Sequence, residues 1–187
     1  MLYTRKGDSG TTKTLHCDQR LSKSSAIAEA LGAVDELNSW LGFCRARCQG
    51  ESLPVGQGLT LGLADLLLGV QQNLFIIQAE LAGSPDKTIT ADKIEQLEKV
   101  IDEIEKKLPP IKSFFIPGAT ANGALLDYAR TVARRAERRV VMVVEEKKIS
   151  IGEFSLTYLN RLSSLLYALA RLANHQSGIK EQAPDYR

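Results

Sequence analysis

The sequence predicts an all-α fold, a five-helix up-and-down bundle around one core, and three observations predict it. Apolar residues recur at i, i+3, i+4 and i+7 through most of the chain, the signature of helices with one buried face. Period-two alternation, the mark of a half-buried strand, is almost absent. Gly/Pro punctuation at Gly83-Ser84-Pro85, Leu108-Pro109-Pro110 and Pro117-Gly118 cuts the periodic stretches into helix-sized lengths. At 187 residues and 44% hydrophobic the chain can bury one substantial core, so residues 1–187 are expected to form a single domain.

Residues 1–23 show no clear periodicity and read as a loop. The first helix is predicted over about residues 24–48, where Ile27, Ala30, Leu31, Val34, Leu37, Leu41 and Cys44 make the stripe and Ser24 or Ser25 can cap it. The second, over about 59–81, is the most apolar (LADLLLGVQQNLFIIQAELA) and belongs at the centre; Gly83 ends it. A charged helix over about 91–107 carries a narrow stripe of Ile94, Leu97, Val100, Ile101 and Ile104. The segment IKSFFIPGA, residues 111–119, is a linker, extended ahead of its Pro-Gly turn. The fourth helix is predicted over about 120–146 and the fifth over about 152–174, with Leu156, Leu159, Leu162, Leu166, Leu169 and Leu172 in line. The tail, 175–187, is expected to be flexible.

Composition excludes several classes. A formal charge of +2 is too small for a general nucleic-acid binder, and no apolar run is long enough to span a bilayer. The polar start MLYTRKGDSG lacks a secretory signal, so the cytoplasm is the default compartment. Three cysteines, Cys17, Cys44 and Cys48, make a disulfide framework improbable; Cys44 and Cys48 are one helical turn apart but read as ordinary thiols, and no metal-ligand set is assigned. GxSxG, HExxH, Gly-x-Gly-x-x-Gly and GxxxxGK[ST] are all absent, so a bound nucleotide would be held by neither a Rossmann nor a P-loop device.

The positive charge is local. RTVARRAERRVV, residues 130–141, carries five arginines on one predicted helix. Advancing roughly 100° per residue, Arg134, Glu137 and Arg138 fall within about a quarter-turn of Arg130. That row follows the rim of a stripe made by Val132, Ala133, Ala136, Val140 and Val143, while Arg135 and Arg139 project away from the row. Guanidinium forks at the core's edge, with a carboxylate among them, suit a polyphosphate; the alternative is an arginine-rich surface helix with i,i+4 pairs. The N-terminal TRKGDSGTTKT, with two glycines three apart among hydroxyls and cations, could wrap phosphates with backbone N–H groups or be a plain polar terminus. In VDELNSW, Asn38 falls in the apolar stripe and Asp35 at its rim, where both need partners; Arg130 from another helix or subunit is the obvious donor for Asp35. Asn160, in YLNRLS, poses the same question on the last helix. Phe114 and Phe115 either cover the bundle end or close over a large apolar ligand.

Taken in order, YTRKGDSGTT, Lys23, GAVDELNSWLG, KSFFIPG, ARTVARRAERRVV and YLNRLSSLLYALAR resemble the PduO-type cob(I)alamin adenosyltransferases over roughly residues 2–174. The resemblance implies a homotrimer of five-helix bundles with ATP at the junction of neighbouring subunits. It implies transfer of the 5′-deoxyadenosyl group of ATP to the cobalt of cob(I)alamin, with Mg²⁺ on the phosphates and triphosphate as the second product. Carried onto this sequence, it places Thr4, Arg5, Lys6, Gly7, Thr12, Lys13 and Lys23 around the nucleotide, joined by Arg134, Arg135, Glu137, Arg138 and Asn160. Asp35 would pair with Arg130 across the subunit boundary, and Phe114 would lie under the corrin ring in place of an axial ligand. A cobalamin reductase and a cobalamin-dependent client enzyme are the implied partners. The chain departs from the family pattern at Lys6-Gly7-Asp8-Ser9-Gly10 for T-G-D-K-G, at Ala119 for the second glycine of Pro-Gly-Gly, and at Ser164 for the aspartate of N-R-L-S-D. The last departure favours the competing expectation, a non-catalytic trimer that binds ATP and corrinoid as a carrier or sensor.

Overall fold

The computed structural model describes residues 3–14, 20–54, 60–147 and 149–187. Five helices carry the fold: α1 Ala26–Arg47, α2 Leu63–Leu81, α3 Ala91–Glu105, α4 Ala121–Glu145 and α5 Ser155–Gln176. α4 packs against α5 on one side and α1 on the other; α2 leans on α1, and α3 on α5. The predicted stripes are the buried faces: Val34, Leu37 and Leu41 of α1, Leu67, Leu74 and Ile77 of α2, and Leu159, Leu162 and Leu166 of α5 are all fully buried.

Local chemistry sets the helix ends. Ser25 caps α1, its Oγ accepting from the Ala28 N–H at 3.3 Å. Thr120 caps α4, its Oγ1 accepting from Gly123 N–H at 2.9 Å while donating to Asn174 Oδ1 at 2.8 Å. Gly123 lies where α4 and α5 come closest; a Cβ there would collide with Asn174 Oδ1. α2 stops as predicted at Gly83, whose φ is +88°. Its N–H donates to Glu80 O and that of Ser84 to Ala79 O, both at 2.9 Å, a Schellman termination.

Three expectations change. Two short antiparallel pairs occur outside the helices. β1 (Thr11–Thr12) joins β2 (Leu21–Ser22), giving the N-terminal loop a base, and β3 (Ser52–Pro54) joins β4 (Thr60–Gly62). The second pair moves the start of α2 from about 59, itself outside the described residues, to Leu63, whose N–H is taken by Glu51 O at 3.0 Å. Backbone pairing between Leu53 and Leu61 claims residues that an apolar run alone would assign to the helix. The expectation of a flexible tail is also corrected at its root: α5 continues to Gln176, and Glu181 is bound to Arg171 and Asn174. No helix among the described residues is long and apolar enough to cross a membrane.

One buried carboxylate ties the C-terminal end of α2 and the first residue of α5 to the loops that precede α3 and α5. Glu80, 4% exposed, accepts from Ile89 N–H at 3.0 Å, Gly152 N–H at 3.3 Å and Ser155 Oγ at 2.5 Å. Replacing it would strand three donors out of reach of water. Glu80→Ala is therefore expected to cost on the order of 3 kcal/mol in urea unfolding, and an unchanged midpoint would show that these bonds do not hold the bundle end.

Candidate active site

The site is built on the rotation of α4. Val132, Ala133, Ala136, Val140 and Val143 are buried, as the stripe predicts, and this orients the five arginines. Arg135 is ion-paired to Glu36, and Arg139 lies 3.9 Å from Glu29, so both lean onto α1. Arg130 is held on its own helix: its Nε and Nη2 donate to Asp127 Oδ1 and Oδ2 at 2.7 and 3.3 Å. Its guanidinium also stands 5.9 Å from the centre of the Tyr167 ring. Arg134 and Arg138 differ: both are exposed, and among the described residues neither has an ion-pair partner. Two guanidinium groups one turn apart and without an ion-pair partner have the donors and charge that would suit an anion.

Beside them, Asn160 Nδ2 donates to Glu137 Oε1 at 3.0 Å, bridging α5 to α4. Arg161 donates to Asn160 Oδ1 at 3.4 Å and to Glu98 at 2.6 Å, which fixes the amide's orientation from the far side. Asn160 is thus exposed at the helix junction, outside the core.

Adjoining the row is a cleft of about 660 Å³ between the 111–118 linker, α4 and α5. Phe114 stands at its edge, 80% exposed, opposite Arg130, Arg134, Ser164 and Tyr167. Burial pushes the Tyr167 phenol up from its ordinary value, so it stays protonated and can donate at neutral pH. An exposed phenylalanine over a cavity this size has no packing role in the chain itself.

The N-terminal loop is organised by a residue that sequence reasoning passed over. Arg20 donates from Nε to Thr11 Oγ1 at 2.8 Å, and from Nη2 to Thr11 O at 3.0 Å and to Lys6 O. Lys23 N–H donates to Gly10 O at 2.9 Å, and its ammonium lies over Gly7, where a Cβ would stand 3.2 Å from Nζ. Gly7 therefore leaves room for Lys23 above the loop. Gly10, at φ +76°, and Arg5, at φ +58°, make the left-handed turns that close it. Thr4, Arg5, Lys6 and Lys13 are exposed on this loop and Thr12 lies in β1. The bonds named here stay within the loop; none joins it to the arginine row.

Within one protomer, then, the predicted residues fall into separate groups. Arg134, Glu137, Arg138 and Asn160 come together, with Phe114 across the adjoining cleft. Asp35 is exposed on α1 and takes only a 3.5 Å contact from Gln78, without meeting Arg130. Arg135, expected at the nucleotide, is engaged by Glu36 instead. Asn38 is buried as predicted, with its Nδ2 3.5 Å from Gln71 O and its Oδ1 unpartnered. Asp127 and Tyr167 were missed, although Asp127 sits three residues before Arg130, a spacing that signals a same-face pair.

The family model for cobalamin adenosyltransferase matches residues 2–173. The chain belongs to the cobalamin adenosyltransferase family. It is 40% identical over 182 residues to the corrinoid adenosyltransferase PduO of Citrobacter freundii, covering 94% of this chain and 50% of that protein. The chain thus spans about half the length of that relative. With the corrinoid adenosyltransferase of Bacillus subtilis it shares 39% over 181 residues, 95% of this chain and 89% of the other. Among solved structures, a variant of a PduO-type ATP:corrinoid adenosyltransferase from Lactobacillus reuteri, complexed with cobalamin and ATP, superposes with a TM-score of 0.86 at 32% identity. That match covers 100% of this chain and 97% of the other.

Cys44 and Cys48 belong to the hydrophobic core. Both are buried, burial pushes their thiols up to about 12 and about 11, and Cys44 Sγ donates to Leu125 O at 3.8 Å. Among the described residues no three His, Cys, Asp or Glu side chains gather to hold a metal. Cys17 lies outside the described residues. With Cys17→Ser in place, the thiolate fraction of Cys44 at pH 8 is about 10⁻⁴, so a disulfide reagent should label neither thiol until urea unfolds the chain. Prompt labelling of the native protein would contradict this burial.

Proposed function

We propose that the chain transfers the 5′-deoxyadenosyl group of ATP to the cobalt of cob(I)alamin, releasing triphosphate. The observation that carries this reading is the pair of uncompensated guanidinium groups, Arg134 and Arg138, next to a cleft fronted by the exposed Phe114. An anion clamp and an apolar-edged cavity side by side suit a triphosphate and a flat macrocycle whose reacting atoms meet between them.

The chemistry explains the residue types. The filled cobalt(I) orbital attacks C5′ of ATP, the C5′–O5′ bond breaks, and its electron pair departs on the triphosphate while cobalt becomes formally cobalt(III). Cobalt(I) is already a potent nucleophile, so no general base is needed. The protein's tasks are to hold the carbon in line and to stabilise the charge growing on the leaving oxygen. Arg134 and Arg138 do the second, and Glu137 with Asn160 fix the nucleoside end. Mg²⁺ enters on the phosphates as part of the substrate, since the described residues offer no carboxylate cluster for it.

Thr4, Arg5, Lys6, Gly7, Thr12, Lys13 and Lys23 belong to a loop whose described bonds do not reach the arginine row of its own chain. A neighbouring copy brings the two together, making the active form a homotrimer with sites between subunits. In that assembly Asp35 of one subunit faces Arg130 of the next, and Arg130 exchanges or shares its Asp127 carboxylate. Phe114 closes the lower face of the corrin, and without a donor atom there cobalt(II) is more easily reduced by a cobalamin reductase. The product then passes to a cobalamin-dependent enzyme. The carrier or sensor reading draws on Ser164, which lines the cleft where the family pattern has an acidic side chain.

Anaerobic absorbance with ATP, Mg²⁺ and chemically reduced cob(I)alamin separates the two readings: conversion to adenosylcobalamin with one triphosphate per turnover is expected, and tight binding without turnover would support the carrier. Arg134→Ala and Asn160→Ala should each lose about 2.7–4 kcal/mol of transition-state stabilisation, a loss of about two to three decades in kcat/KM. Near-normal rates in both would sink the site assignment. For Asp35 and Arg130, a double-mutant cycle on the assembled protein should give coupling well above about 0.5 kcal/mol, whereas additive losses would mean the two never meet.

A further inference from the structure

Phe114 and Phe115 are adjacent, and either ring could in principle face the cleft. Both rings line it, Phe114 80% exposed and Phe115 half-buried against α5. What lies under Phe115 is Arg171, a guanidinium only 5% exposed whose carbon Cζ stands 5.1 Å from the ring centre. Arg171 also donates from Nη2 to Pro109 O at 3.2 Å, where the linker begins, and from Nε to Glu181 Oε2 at 3.1 Å. Glu181 is held a second time, by Asn174 Nδ2 at 3.0 Å, and the residue after it takes the Ile116 N–H onto Gln182 O at 2.8 Å. The linker is therefore pinned before Phe114 at Pro109, next to it through the Phe115 ring, and just after it at Ile116.

We infer that the buried Arg171–Glu181 pair, with the C-terminal segment that carries Glu181, is a positioning device that holds Phe115 back and leaves Phe114 as the exposed ring presented to the corrinoid. A guanidinium buried this deeply needs a carboxylate, and the one it has comes from beyond residue 173, where the family match ends. Its aromatic contact is with Phe115, so that ring is retained against α5 and Phe114 is left as the exposed ring of the cleft. Glu181 neutralises the guanidinium and itself lines the cleft, so a double variant with Phe114→Ala is what separates an effect through the linker from a direct one. The inference rests on the proposed role of Phe114 and adds the residues that hold it there.

The experiment uses the full chain with ATP and cob(II)alamin, reading the four-coordinate fraction of bound cobalt(II) by electron paramagnetic resonance. Phe114→Ala, Glu181→Ala and the double variant are compared with the unaltered chain. Glu181→Ala is expected to lower the four-coordinate fraction several-fold, while turnover from chemically reduced cob(I)alamin falls far less. The double variant should match Phe114→Ala alone, because Glu181 acts through that ring. An unchanged four-coordinate fraction in Glu181→Ala, alongside a loss in Phe114→Ala, would overturn the positioning role and leave the reading of Phe114 intact. Losses that add in the double variant would overturn it as well. A wild-type fraction in Phe114→Ala would remove the reading of Phe114 and this inference together. Glu181→Gln, which keeps an acceptor for Asn174, serves as the second variant should alanine disturb folding, with the same outcomes deciding.

Discussion

The site depends first on the burial of one face of α4. Val132, Ala133, Ala136, Val140 and Val143 are drawn between α1 and α5, and that burial leaves the helix no freedom to rotate. Once the rotation is set, the arginines sort themselves by direction. Those turned to α1 find Glu36 and Glu29; those turned along the other edge, Arg134 and Arg138, find no carboxylate among the described residues. Hydrophobic packing thus determines an electrostatic outcome, since a turn of the helix by one residue would bring the paired arginines to the cleft and hide the free ones.

Leaving charge uncompensated costs little on the surface, where water solvates it, and makes the binding of a polyanion favourable. The protein treats its other arginines differently. Arg171, which is buried, is given Glu181, a carbonyl and an aromatic face. Arg20, which organises the N-terminal loop, is satisfied by two backbone carbonyls and a hydroxyl. Arg130 lies between these cases: partly buried, paired locally with Asp127 and placed beside Tyr167, it stands where a neighbouring subunit's carboxylate could compete for it.

Much of this was legible in the sequence where the physics is local. The α4 stripe, the Ser25 cap, the Gly83 stop and the burial of Asn38 all follow from periodicity and backbone preference within a few residues. The β3–β4 pair was not legible, since an apolar run of three residues before a helix reads the same in either state until its partner strand is known. Arg171 was hidden for a related reason. It flanks the leucine stripe of α5 and looks like a solvated cation until the linker and the tail are folded over that end of the helix.

The sequence by itself determined the helical bundle, the helix that carries the cations and the blocks that mark the family, because each is a short-range pattern that no packing partner can alter. Tertiary structure decided which arginines pair with α1 and which have no such partner among the described residues, which of two adjacent phenylalanines is the exposed one, and that residues from the C-terminal segment tie down the linker that carries them. Those outcomes depend on contacts between residues far apart in the chain, and a contact of that kind exists only once both partners have been brought to the same place.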